Sequence, residues 1–181
     1  MIRFPRSQRW QARAEKALGG GPATLSKSWN RYPEGVSPLF LESALGAHVW
    51  DVDNNRFLDT VAALGPIILG HCDPAVTLAV QAQAGLSTSL TLSHRLEVEV
   101  AELLQSLTPW EEKARVRFGK NGMDATNAAV RLARYHTGGQ HIIVSGYHGG
   151  ADFYMASTDK AGGILPCVAE YTHQVPFGDI E

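Results

Sequence analysis

A strand that turns on two glycines straight into a helix leaves a chain few folds to choose from. This sequence carries such a stretch at Phe118-Gly119-Lys120-Asn121-Gly122-Met123-Asp124-Ala125-Thr126. Arg115-Val116-Arg117-Phe118 leads in with the pattern of a short strand. Ala125, Ala128, Ala129, Leu132 and Ala133 then recur at the spacing of one helix face. At such a junction the unpaired N–H groups and the positive end of the helix dipole point at one spot, which suits an anion. A second strand-like run, His141-Ile142-Ile143-Val144, follows Thr137-Gly138-Gly139. Together they predict a parallel βαβ unit, and ligands in such sheets sit at the carboxyl ends of the strands. Tyr147 falls just past the second strand, at the same edge. A phosphate cradle beside a projecting aromatic suits a phosphorylated planar cofactor.

The local pattern leaves the ligand open. No Gly-Lys-Ser/Thr stands where a Walker loop needs it, and Gly119 and Gly122 make no G-x-G-x-x-G. An ordinary turn, with Asn121-Gly122 serving the backbone and Tyr147 filling core, accounts for the same residues.

Composition narrows the classes. The 181 residues suffice for one good core or a core plus an appendage, and the net charge of −2 exerts no pull towards nucleic acid or acidic membranes. Cys72 and Cys167 are far apart and the histidines are dispersed, so a disulfide framework and a zinc site are not expected. The setting reads as reducing and cytoplasmic. No apolar run approaches the roughly 20 residues of a membrane span. Arg3, Arg6, Arg9 and Arg13 precede the first acid, Glu15. They read as the solvated face of a surface helix in preference to a transit peptide. Trp10, Ala14, Ala17 and Leu18 would dock that helix.

In chain order, a helix is expected from about Ser7 to Leu18, stopped by Gly19-Gly20-Gly21-Pro22. Thr24 to Pro38 is irregular and presents Trp29, Arg31 and Tyr32. Ala47 to Asp59 reads as a hairpin turning at Asp53-Asn54-Asn55. Asp51, Asp53 and Asn55 imitate the start of a calcium loop, but Arg56 and Ala62 stand where Gly and Glu are obligatory. Leu64 to His71 reads as a buried crossing between domains. Asp73-Pro74 opens a helix that stops at Gly85. Another helix starts near Ser93, with the stripe Leu96, Val100, Leu103, Leu104 and Leu107, and closes at Pro109. Glu97, Glu99 and Glu102 form its solvated side. Ala151 to Pro166 reads as a flap or a long connection, and Tyr171 to Phe177 as a strand.

Five ordered blocks then carry a resemblance that covers nearly the whole chain. They are Gly46-Ala47-His48-Val49-Trp50-Asp51-Val52-Asp53, Gly65-Pro66-Ile67-Ile68-Leu69-Gly70-His71-Cys72-Asp73-Pro74, Arg117 to Ala125, Ala129-Val130-Arg131-Leu132-Ala133-Arg134, and Tyr147-His148-Gly149. Their order and spacing resemble the class III, fold-type-I aminotransferases dependent on pyridoxal 5'-phosphate (PLP), nearest to the glutamate-1-semialdehyde aminotransferase-like branch. The resemblance implies an α/β PLP-dependent transferase fold, incomplete here. Residues 1–64 would form an N-terminal segment, and 65–181 the first part of the large cofactor domain.

It also implies that Asn121, Gly122 and Met123 hold the cofactor phosphate where the family writes Ser-Gly-Thr. Asn121 substitutes an amide donor for the serine hydroxyl, while Met123 forgoes the threonine hydroxyl. Tyr147 matches the aromatic that stacks on the pyridine ring, and His148 and Gly149 complete that motif. Arg31 matches the part of the family that grips a substrate carboxylate, with Trp29 as the other occupant of that place. Leu64 falls where some relatives carry an aromatic beside the substrate. The family's Schiff-base lysine and the acid at the pyridinium nitrogen have no counterpart: none of Lys16, Lys27, Lys113, Lys120 and Lys160 matches. The chain is therefore expected to be the N-terminal portion of a homodimeric enzyme and inactive alone. A non-catalytic module that binds a phosphate ligand or a partner protein is the alternative, and a partner chain supplying the lysine a third reading. Semialdehyde, keto-sugar and ω-amino acid substrates all stay open.

Overall fold

The computed structural model describes residues 3–19, 21–22, 24–33, 35–109 and 114–179. Gly20, Lys113 and the terminal Ile180-Glu181 of the sequence reading lie outside them. The chain forms two compact units, residues 1–90 and 91–181.

The first unit opens with helix α1, Pro5–Ala17. Two single 3-10 turns, Leu25–Lys27 and Trp29–Arg31, follow. An antiparallel sheet comes next, with strands β1 Leu41–Leu45, β2 His48–Asp51 and β3 Arg56–Leu58 in that order. The hairpin turns where expected, and the calcium-like acids explain why. Fully buried Asp51 accepts hydrogen bonds from the Asp53 and Asn55 N–H groups at 2.9 and 2.7 Å and from Asn55 Nδ2 at 2.9 Å. Asp53 reaches back and accepts from the N–H groups of Arg6 and Ser7 at 2.7 and 2.9 Å. A carboxylate 46 residues away thus caps the start of α1 and meets its dipole.

Of the expected docking residues of α1, Ala14 is buried and Trp10, Ala17 and Leu18 are not. Phe4, Ser7 and Ala14 are buried, and Phe4 stacks on Phe57. Trp10 and Leu18 stay exposed, and Trp10 carries the Arg13 guanidinium 4.2 Å above its ring. The Asp53 cap sets the helix rotation, and that rotation overrides bulk hydrophobicity.

After β3, Ala62, Ala63, Leu64 and Gly65 all take positive φ, from 48° to 110°. Asp59 braces this left-handed turn by accepting from the Val61 and Ala62 N–H groups, while its other oxygen meets His71 Nε2 at 2.6 Å. The crossing read as buried is exposed: Ile68 retains 86% of its surface. Helix α2, Pro74–Ala84, begins as its sequence requires, with Asp73 accepting from Ala75 and Val76.

The second unit contains α3 Arg95–Ser106, α4 Gly122–Thr137, β4 Ile142–Val144, the short helices α5 Asp152–Met155 and α6 Pro166–Glu170, and β5 Thr172–Gln174. The expected strand at 115–118 does not form; residues 114–119 run irregularly. Strand geometry needs a ladder partner, and β4 finds its partner in β5, as a parallel two-stranded sheet. The parallel unit therefore lies one step later in the chain than predicted. The segment read as a flap or a long connection joins the core at its start: Phe153 and Tyr154 of α5 are buried with Val144 and packed by Val130 and Ile142. Thr172 locks it by donating to the Phe153 carbonyl at 2.6 Å. The alanine face of α4 and the leucine stripe of α3 stay largely exposed, and α4 packs through Val130 instead.

Candidate functional site

The site belongs to the second unit and is assembled where α4 begins. Asn121 caps the helix: its backbone is extended and its Oδ1 accepts from the Asp124 N–H at 3.0 Å. The Asn121 amide nitrogen remains a donor. Asp124 returns the favour by accepting from the Lys120 N–H at 2.9 Å. Gly119 is required there, because a Cβ would stand 2.8 Å from that of Asp124. The N–H groups of Gly122 and Met123, the first two helical residues, have no intrahelical acceptor. The space beside Gly122 is open, since a Cβ there would meet nothing within 4 Å. Three donors at the positive end of a 16-residue helix make a cradle for a phosphate-sized anion.

A second loop closes on this helix start. Ser145 to Gly150 leaves the carboxyl end of β4 and doubles back on a run that includes Gly146 at φ 77° and Gly149 at φ 100°. Gly149 packs on Met123 so tightly that a Cβ would lie 3.1 Å from the Met123 Cβ. The Thr126 hydroxyl lies 3.0 Å from the His148 carbonyl and 3.1 Å from that of Met123, sharing its one proton between them. His148 Nε2 donates to the Ser145 carbonyl at 2.8 Å, which fixes its tautomer and commits it to holding the loop. Tyr154 supports both aromatics edge-on, 5.7 Å from Tyr147 and 5.6 Å from His148. Tyr147 itself projects, 79% exposed. An open groove at the same strand ends is lined by Ser145, Gly146, Gln174, Val175, Pro176 and Phe177. The Ser145 hydroxyl is buried there without a hydrogen-bond partner.

Folding thus brings Asn121, Gly122 and Met123 together with His148, and sets Tyr147 beside them. Trp29 and Arg31 belong to the other unit. Trp29 is half-buried and stacks on Phe40 at 6.2 Å, whereas Arg31 is exposed. Sequence reasoning missed the couplings made by Thr126, Tyr154 and Ser145. A threonine inside a helix and a tyrosine in an aperiodic stretch carry no local signal of what they will touch.

Free helix-start donors next to a projecting ring, at the carboxyl edge of a parallel sheet, are an arrangement suited to a phosphorylated ligand in an α/β fold. Solved structures carry the same fold. One is an omega-transaminase from Sphaerobacter thermophilus, with TM-score 0.83 and 28% identity, matched over 96% of this chain and 42% of that one. Another is a transaminase with PLP bound, with TM-score 0.83 and 29% identity, matched over 99% and 43%. The fold is that of the PLP-dependent aminotransferases, present in part.

The family profile of class III aminotransferases matches residues 31–178, and the chain belongs to that family. A curated relative, glutamate-1-semialdehyde 2,1-aminomutase of Chloroflexus aggregans, is 36% identical over 99% of this chain. The chain spans 42% of that relative's length.

Proposed function

We propose that these residues form the N-terminal, phosphate-gripping part of a PLP-dependent aminotransferase or aminomutase, which moves an amino group between an amino acid and a semialdehyde or keto substrate. The observation that carries this reading is the lock between the start of α4 and the Ser145–Gly150 loop. It joins the helix start, with its free N–H groups, to the loop that carries Tyr147. The Asn121 amide and the Gly122 and Met123 N–H groups hold the phosphate. Tyr147 lies against the flat ring, and His148 positions the loop through Ser145. PLP fits this donor set, and when bound it supplies the electron sink for chemistry at the amino-bearing carbon. Arg31, exposed and bidentate, is the donor for the substrate carboxylate in the complete protein; Trp29 is already committed to Phe40. The lysine that binds the cofactor covalently has no counterpart among Lys16, Lys27, Lys113, Lys120 and Lys160, of which Lys120 adjoins the phosphate end. The complete protein is then a cytoplasmic homodimer, divided after Leu64 into a substrate-side segment and the cofactor domain.

The alternative, a binding module that keeps the cradle without the chemistry, rests on the same geometry. One experiment separates them. The native protein is incubated with PLP, reduced with borohydride, and its intact and peptide masses are read. A PLP adduct on a lysine beyond the five in this sequence, weakened at least tenfold by Asn121→Ala, is expected. PLP retained reversibly with no adduct would support the module, and no retention at all would overturn both readings.

A further inference from the structure

The register of β4 and β5 places two histidines side by side on the face of the sheet opposite the core. Ile142 pairs with Thr172 and Ile143 with His173, so His141 and His173 are diagonal neighbours on one face. Val144 and Thr172 point to the other face, into the core. His141 and His173 are both exposed. Their rings stack at 5.1 Å, and His141 Nδ1 lies 2.9 Å from His173 Nε2.

We propose that His141 and His173 chelate a borderline transition-metal dication such as Zn2+, Ni2+ or Cu2+. This is independent of the phosphate cradle, which sits at the opposite, carboxyl end of β4. The argument is geometric. Metal–imidazole bonds of about 2.0–2.1 Å put two donors about 2.9 Å apart at a right angle and about 3.3 Å apart at the tetrahedral angle. The observed nitrogen spacing falls within that bite, and turning both rings so that their lone pairs converge on one point off the N–N line lets a metal replace the shared proton. Both rings bind neutral, with their protons moved to His141 Nε2 and His173 Nδ1. Tyr171, packed 5.1 Å from the His141 ring, restrains that ring's rotation. Other histidines are less suited: His71, His94 and His148 each have a ring nitrogen engaged elsewhere. Among the described residues no group of three or more His, Cys, Asp or Glu gathers anywhere. The site is therefore open, completed by water or by an external ligand. Imidazole donors select the later first-row metals over Mg2+ and Ca2+.

The test uses the protein as isolated, stripped with chelator. Diethylpyrocarbonate labelling of histidines is mapped by mass spectrometry with and without Zn2+. Zn2+ is expected to protect His141 and His173 together at least tenfold, leaving His48 and His136 unprotected, and Mg2+ to protect none. Calorimetric Ni2+ affinity is expected to fall at least tenfold in His141→Gln and in His173→Gln. Equal labelling with and without Zn2+, protection spread evenly over all histidines, or Ni2+ affinity within twofold in the double variant would each overturn the site. The labelling arm needs no variant, so a substitution that fails to fold leaves the test intact.

Discussion

Asp59 shows how one carboxylate holds several pieces of backbone. It accepts from His71 and from the N–H groups of Val61 and Ala62. The turn it braces places Ala62, Ala63 and Leu64 in left-handed conformations. Each costs about 1–2 kcal/mol against the right-handed form. The hydrogen bond from His71, then that from Val61, holds the Asp59 carboxyl below the usual carboxylate range. The sign follows from linkage. A group whose folded pKa is depressed contributes stability in full above its unfolded value of about 3.9, and loses it as pH falls through the lower folded value. Urea midpoints measured from pH 6 to pH 3 should therefore fall more steeply for the native chain than for Asp59→Asn. Parallel acid limbs would show that the pair adds nothing.

At the scale of elements, the start of α4 and the loop after β4 behave as one piece. Gly149 is irreplaceable on two counts: its φ of 100° strains any L side chain, and a Cβ would press on Met123 at 3.1 Å. Gly149→Ala should separate the loop from the helix and cost about 1–3 kcal/mol. PLP affinity should drop with it, measured by absorbance titration and thermal melting on the same sample. Gly122→Ala, whose Cβ meets nothing within 4 Å, should melt normally. If both variants melt alike, the close packing is not what holds the site. The Asp73-Pro74 helix start and the hairpin turn were legible because each is local chemistry. The strand at 115–118 was misplaced because a strand depends on a partner that no local pattern names.

Across the whole molecule, large apolar side chains remain at the surface. Val76, Leu78 and Val80 of α2, Leu103 of α3 and Leu132 of α4 are all exposed, and Phe177 retains 98% of its surface. Helix faces of this kind normally meet another layer. The 181-residue chain by itself should bind an apolar dye and sediment as a concentration-dependent oligomer. A dye-silent monomer at micromolar concentration would show that these faces are covered within the chain. Among the described residues no helix is long and apolar enough to cross a membrane.

What the amino-acid order determined alone was the list of local devices: glycine turns, caps, a hairpin, an anion-competent helix start, and a family resemblance carried by ordered blocks. Each depends on neighbours within a few residues, where φ/ψ preference and capping chemistry act. Tertiary structure decided the rest. Asp53 chose which face of α1 is buried, across 46 residues. Val130 and Tyr154 chose the core of the second unit, and the β4–β5 register set His141 beside His173. These outcomes turn on contacts between distant residues, whose free energy exists only once the chain has brought them together.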